Sequence, residues 1–349
     1  MTALLAPAPE TTSKLTPADR KLFRGTAAEV HPWMSTEDIL ESINCNFRVT
    51  RHAAQVGGQP YPDCQLWLRD DSNAMLGFFG NRRQVIQPAT FIEYFRAFTA
   101  SSEKQISLDV VGSLDGGKTF YMGSKLSGNN AALLDANLGG QYGAGGGLGI
   151  SRRGSEHYLE AADRTDFWLV ITDYYGESLS PKAIILGNEL VCSNGLAVRV
   201  TDSTVKLTHR LAQSYDDVAL VLQRAIERSR AYGQMKDRLI ETPISMDSAR
   251  RALRQFFRDE DGQSSTVKHL ERIYDSELIG GELATRQGNL WRLASAVTQY
   301  TSHERIGSRP EAQERTLRSQ LEGSRARTNA RFLEFLEDQF LPTAQLAIA

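Results

Sequence analysis

Cysteine is scarce: Cys45, Cys64 and Cys192 are the only three, an odd number, too far apart for a disulfide framework or a Cys-x-x-Cys zinc pair. Such usage suits a reducing cytosol, and Cys192, set in an apolar run, reads as a small buried hydrophobe. Long hydrophobic runs are missing as well. No stretch approaches the roughly 20 apolar residues that cross a bilayer, and Met1 to Glu10 has neither the basic flank nor the apolar segment of a secretory signal. A cytoplasmic protein is expected. An excess of one charge is also absent, because 40 Lys and Arg stand against 42 Asp and Glu, a net charge of -2. Coating nucleic acid by bulk positive charge is thereby excluded, and any polyanion site has to be a local patch. The six histidines, His31, His52, His157, His209, His269 and His303, form no His-x-His or His-Glu-x-x-His pattern, and there is no Gly-x-Ser-x-Gly elbow. Sequence therefore supplies no metal motif, no cofactor fingerprint and no nameable catalytic residue; a site gathered from scattered Asp, Glu and His would leave no such trace.

What is present is an ordinary globular composition, 41% hydrophobic and 23% charged over 349 residues, long enough for a sizeable core and a second, smaller unit. Residues 1–30 carry Pro7, Pro9 and Pro17 without apolar periodicity and read as a mobile arm. Ser35 or Thr36 ahead of Glu37 and Asp38 signals a helix start, with the helix running to about Ile43. Gln65–Asp70 and Met75–Phe79 flank the turn chemistry of Asp71-Ser-Asn73, and Phe91, Tyr94, Phe95 and Phe98 recur at the three-and-four interval of one helix face. Ile106–Val111 and Lys118–Met122 enclose Asp115-Gly116, a dipeptide that accepts positive φ and closes a tight hairpin. Further strands are expected at Phe167–Thr172, Ala183–Leu186, Glu189–Cys192 and Leu196–Val200, with turns at Gly187-Asn188 and Asn194-Gly195. Consecutive hairpins imply an antiparallel sheet.

After Ser214 the period becomes helical, with Val218, Val221, Leu222, Ala225 and Ile226 on one stripe. Four more helical patterns follow, at about Asp247–Arg258, Thr266–Leu278, Asn289–His303 and Ala326–Phe340. The expected class is α+β: a twisted antiparallel sheet with flanking helices over residues 31–235, then an all-helical region over residues 236–349.

Between Asn137 and Gly154 the glycine density suits a flexible loop; it lacks the Gly-Lys-Ser/Thr ending of a phosphate cradle, though Arg152 and Arg153 at its end could clamp a phosphate. Arg250, Arg254 and Arg258 repeat every four residues, which gives either a guanidinium stripe for phosphates or a solvated face paired with acids such as Asp247, Asp259 and Glu260. Arg82 and Arg83 follow the aromatic strand Phe78-Phe79, and Lys118 precedes Phe120 and Tyr121 on another. Cations beside rings on a sheet are what single-stranded nucleic acid uses, phosphates on the cations and bases on the rings; alternating aromatics equally build a core.

Three strings occur in order: Val111-Gly-Ser-Leu-Asp-Gly-Gly-Lys-Thr-Phe120, Asn188-Glu-Leu-Val-Cys-Ser-Asn-Gly-Leu196 and Asn289-Leu-Trp-Arg-Leu-Ala-Ser-Ala-Val-Thr-Gln-Tyr-Thr-Ser-His303. With Ser35-Thr-Glu-Asp-Ile-Leu40 and Leu68-Arg-Asp-Asp-Ser-Asn-Ala-Met-Leu-Gly77, they resemble the prokaryotic phage/plasmid-like proteins catalogued as domain of unknown function 932, from about Glu37 to about His303. Locally, Asn188, Asn194 and Gly195 read as turn formers, and the helix carrying Trp291 as structural. The order of helix, hairpins, helix and further helices is also loosely similar to annealing proteins of the Rad-fifty-two type, an analogy without a matched motif. The resulting expectation is a mobile-element protein that binds single-stranded DNA and promotes annealing as a homo-oligomer. Arg82, Arg83, Lys118, Arg152 and Arg153 would hold phosphates and Phe120 or Tyr121 would stack bases, with the Arg250, Arg254 and Arg258 stripe as a further contact. Competing classes are a counter-defence factor that grips a host protein, and an enzyme without a local signature.

Overall fold

The structure is a computed structural model that describes residues 15–101, 106–126, 165–175, 182–189, 198–199, 205–206, 215–304, 309–321 and 323–341. The chain enters with a short helix, α1 (Pro17–Leu22), where the expectation was a mobile arm. Thr16 and Asp19 form a reciprocal capping box and Pro17 takes the first helical position, where its missing N–H is no loss. Strand β1 (Ala27–Glu29) then pairs with the later strand Val110–Leu114, so residues 15–30 belong to the folded body. Helix α2 (Thr36–Ser42) starts at the Ser35 cap, whose hydroxyl accepts from Asp38 N at 3.0 Å while the Asp38 carboxylate takes Ser35 N at 2.9 Å.

Two antiparallel sheets follow. The smaller, in the order β2 (Val49–Val56), β3 (Gln59–Arg69), β4 (Met75–Gly80), is a meander whose second turn places Asn73 at φ 55°. Helix α3 (Pro88–Ser101) packs Phe91, Phe95 and Phe98 into the core, as their spacing requires. The larger sheet comprises β5 (Val110–Leu114), β6 (Thr119–Lys125), β7 (Thr165–Tyr174), β8 (Lys182–Glu189), β9 (Val198–Arg199) and β10 (Val205–Lys206), in the order β1-β5-β6-β7-β8-β10 with β9 also along β8. Asp115 and Gly116 close the β5–β6 hairpin at φ 53° and 66°. Gly187 and Asn188 do not turn; they lie inside β8 opposite Phe167 and Asp166. Asn194-Gly195 and the glycine segment 137–154, with Arg152 and Arg153, lie outside the described residues.

All ten residues of β7 are buried because both faces of the sheet are covered. Phe120, Met122, Phe167, Leu169, Ile171 and Ile185 belong to the main core, while Tyr121, Trp168, Val170, Ile184 and Leu186 meet Leu22 and Phe23 from the N-terminal segment and Leu317 and Leu321 from helix α8 (Pro310–Leu321). Each such fully buried apolar side chain contributes roughly 1.5–3 kcal/mol. A polar network ties α1 to this sheet: the buried Asp19 accepts from Lys125 Nζ at 2.8 Å, Trp168 Nε1 at 3.2 Å and Asn188 Nδ2 at 3.3 Å, and Lys125 also reaches Asp166 at 2.8 Å. Asn188 thus serves as a buried hydrogen-bond donor rather than a turn former.

The C-terminal region is helical: α4 (Tyr215–Glu241), α5 (Met246–Phe257), α6 (Ser265–Arg272) with a π turn at Ile273–Glu277, α7 (Leu290–His303), α8 and α9 (Ser324–Phe340). Helix α4 runs through the division expected at residue 235, and one contiguous core extends from Val30 to Leu341. The buried Lys236 amine sits 4.9 Å from the Trp291 ring and 3.1 Å from Thr165 Oγ1, joining α4, α7 and β7. Asn289 caps α7 by accepting from Arg292 N at 2.9 Å, and nearly every α7 residue is buried, so the Trp291 helix is structural.

Candidate nucleic-acid interface

Alternation along β3 and β4, reset by register shifts between Pro60 and Gln65 and between Met75 and Gly77, gives the small sheet two unlike faces. Trp67 and Phe79 point inward, their rings 4.2 Å apart, and are 1% and 7% exposed. Outward, Tyr61 and Phe78 are 52% and 50% exposed with ring centroids 6.3 Å apart, and Met75 is equally open. Register places Leu66 opposite Phe78 and Leu68 opposite Met75, and both leucines are half-buried, so the β3–β4 part of this face is apolar and aromatic, bordered on β2 by His52 and Thr50, the partners of Leu66 and Leu68. The strand approaches the large sheet so closely at Gly77 that a Cβ there would lie 2.6 Å from the Tyr175 carbonyl oxygen.

Beyond β4 the chain makes a tight turn in which Arg83 N donates to Gly80 O at 3.0 Å. The buried Gln65 amide fixes it, donating to Arg83 O at 3.1 Å and Gly80 O at 3.4 Å. The turn separates the two arginines. Arg82 is exposed and has no hydrogen bond or ion pair among the described residues. Arg83 folds inward, its guanidinium 4.4 Å from the Phe79 centroid and 5.6 Å from Trp67, and donates to Tyr174 O at 3.5 Å.

Inside this turn lies a small cleft of about 140 Å³, lined by Trp67, Arg83, Gln84, Ile86, Phe91, Tyr174 and Tyr175. The Tyr175 hydroxyl donates to Ile86 O at 2.6 Å and pins one wall. Next to it stands Asp173, whose carboxyl burial pushes up to about 7 against the opposing pull of Tyr174 N and the Arg83 charge. Burial likewise lowers the Arg83 guanidinium below its usual range, with Asp173 opposing. Desolvation outweighs attraction for both groups.

Two of the residues singled out in sequence meet the end of β7, Arg83 through its guanidinium and Lys118 through its backbone carbonyl. Arg83 meets the Tyr174 carbonyl and Lys118 O accepts from Tyr175 N at 2.6 Å, so the two flank the end of β7. Between residues 45 and 100 six arginines face four acids, a local excess of positive charge within a slightly anionic chain. The rings chosen in sequence are not available. Phe120 is fully buried between Phe91 and Tyr175, at centroid distances of 5.3 and 5.8 Å, and Tyr121 stacks on Phe23 at 5.6 Å with its hydroxyl on Thr26 Oγ1. Neither can stack a base, because helices cover both faces of that sheet. Tyr61, Trp67 and Tyr175 were missed. Phe78-Phe79 did carry a usable signal, since adjacent rings in a strand point to opposite faces and a sheet covered on one side must show one of them.

Two of the three arginines of the stripe are paired with acids. Arg250 bonds Asp275 at 2.8 Å and Arg254 bonds Glu271 at 2.8 Å, while Arg258 takes the left-handed position at φ 54° that ends α5. Among the described residues no group of three or more His, Cys, Asp or Glu could hold a metal ion, and no helix is long and apolar enough to cross a membrane.

No curated protein and no solved structure matches the chain. The family described as Domain of unknown function (DUF932) matches residues 75–330, which takes in β4, the arginine turn, the large sheet from β5 to β10 and the helices from α3 to α8, while β2 and β3 precede the match. Because that span is well over half of the 349 residues, the chain belongs to the DUF932 family.

Proposed function

We propose that this protein binds single-stranded DNA on the outer face of the small sheet and promotes annealing as a homo-oligomer. The observation that carries the reading is the half-exposed pair Tyr61 and Phe78, on an open sheet face four residues ahead of the exposed Arg82. Bases stack on such rings irrespective of sequence, and a neighbouring guanidinium takes the phosphate. Duplex DNA keeps its base faces stacked on one another and so withholds them from the rings, which favours the single strand. Annealing needs two bound strands to meet, which an assembly of several copies provides.

The test is a titration of fluorescent oligonucleotide, single- against double-stranded, at two salt concentrations, with particle size measured by light scattering on the same samples. Salt-sensitive capture of the single strand by a particle larger than one chain is expected, and Arg82→Ala should flatten the salt slope by about one counterion. Absence of capture at low salt would rule the reading out. The apolar character of Met75, Leu66 and Leu68 around the rings favours a second reading, contact with a protein, for example in counter-defence. Salt-insensitive association with a protein and no DNA shift would select it.

A further inference from the structure

We infer that the junction of the N-terminal segment with α7, α8 and α9 is a phosphate site, in which Arg24 and Arg325 hold a tetrahedral oxyanion, either free inorganic phosphate or the terminal phosphate of a nucleic-acid strand. It shares no residue with the small-sheet face and does not depend on the strand-binding reading. Arg24, just past the Phe23 cap of α1, donates through Nε to Gln320 Oε1 at 3.0 Å, through Nη1 to Gln313 Oε1 at 3.4 Å and through Nη2 to Ser302 O. Arg325 donates through Nη1 to Thr301 O. The two guanidiniums therefore meet adjacent carbonyls in the last turn of α7, and neither has an acidic partner among the described residues. Burial first, and the Arg325 charge second, lower the Arg24 guanidinium to about 10; burial lowers Arg325 as well.

The unmet polar groups around this pair can all donate. The Gln320 Nε2 and Asn329 Nδ2 amides and the Ser302 Oγ hydroxyl are buried without a hydrogen-bond partner, in residues only 1% exposed. Each is tied to the cluster: Gln320 by its oxygen on Arg24, Ser302 by its carbonyl on Arg24, and Asn329 by its oxygen on Thr301 Oγ1 at 2.7 Å, one turn along α9 from Arg325. Arg24 commits one N–H on each nitrogen and Arg325 one in all, so both guanidiniums keep further N–H groups. Two positive charges face roughly half a negative charge at the end of α7, which leaves more than one uncompensated. A phosphate monoester carries about 1.5 to 2 negative charges near neutral pH and three strong acceptor oxygens, which matches that surplus of charge and of donors. A carboxylate, with a single charge and two oxygens, would leave part of both unmet, and guanidinium forks suit phosphate oxygens.

The probe is inorganic phosphate, titrated into the full-length protein by calorimetry and by melting temperature, with acetate or chloride in its place at equal ionic strength. A 5′-phosphorylated dinucleotide and its 5′-hydroxyl form run in parallel. The wild type is expected to bind phosphate and to melt higher in it than in acetate or chloride. Arg325→Gln, which keeps a donor for Thr301 O, should weaken binding on the order of tenfold or more and lose that rise. In chloride it should melt no lower than the wild type, because one of two uncompensated charges is gone; a merely structural arginine would lower the melt in every buffer. Arg24→Gln is the second variant, with the same loss of response expected. Preference for the 5′-phosphorylated dinucleotide over its hydroxyl form assigns the site to a strand end, and binding of inorganic phosphate alone assigns it to the free ion. A wild type that responds to neither, or that responds equally to acetate, overturns the site. So does a phosphate response of wild-type size in both variants.

Discussion

At the scale of single residues, two pairs of neighbours behave oppositely for one reason, the number of covered faces. Phe78 is half exposed and Phe79 buried on a sheet with one open side, whereas Phe120 and Tyr121 are both buried on a sheet closed on both sides. Phe120→Ala should therefore lower unfolding stability by about 3–5 kcal/mol, and Phe78→Ala by under about 0.5 kcal/mol, in chemical denaturation. Asp173 makes a separate expectation. Its carboxyl is raised from 3.8 to about 7 by burial, so ionisation opposes folding. Stability from this group declines as pH rises from about 4 to 7 and levels off above. The charge that faces it is Arg83, whose attraction offsets part of the penalty. Asp173→Asn, which keeps an acceptor for Tyr174 N, should then stabilise the protein by about 1–3 kcal/mol at pH 8 and by much less at pH 4, as read from melting curves at the two pH values. An equal effect at both would contradict the burial argument.

At the scale of elements, the N-terminal segment is held by one carboxylate. Asp19 satisfies Lys125, Trp168 and Asn188 at once, so Asp19→Ala leaves buried donors unpaired and should destabilise by about 3–5 kcal/mol. Amide exchange should rise first in α1 and β1, while the β2–β4 meander keeps its protection. Much of the element order was legible beforehand because the signals are local: Ser35 caps α2, Asp115-Gly116 closes a hairpin at positive φ, and Asn289 starts α7. What failed was non-local. Helix α1 has only six residues and no apolar period of its own, and its order comes from docking on Trp168 and Tyr121. Gly187-Asn188 has turn chemistry, yet pairing with Phe167 and Asp166 overrides it. For the Arg250 and Arg254 stripe, pairing was one of two readings, with Asp247, Asp259 and Glu260 as the acids; the partners are instead Asp275 and Glu271, on the next helical segment, 25 and 17 residues on. The candidate site was half legible: the cations could be named, but exposure depends on which faces other elements cover, and that is set by the whole fold.

At the scale of the molecule, the α+β part and the helices share one core rather than forming two separable units. Helix α4 crosses residue 235 without a break, and Lys236, Trp291 and Thr165 interlock across the expected division. A fragment ending at residue 235 should not unfold cooperatively, since truncation exposes the core that α7 and α9 complete. A sharp, reversible melt of that fragment would show the division to be real. The same shared core holds the small sheet in place with its ring-bearing face open. The most direct measurement is the affinity of the double variant Tyr61→Ala/Phe78→Ala for a fluorescent single-stranded oligonucleotide at fixed salt, beside its melting temperature. Loss of affinity on the order of tenfold or more with an unchanged melting temperature is expected, given about 1–3 kcal/mol per stacked base. Affinity equal to that of the wild type would contradict the assignment of this face to nucleic acid.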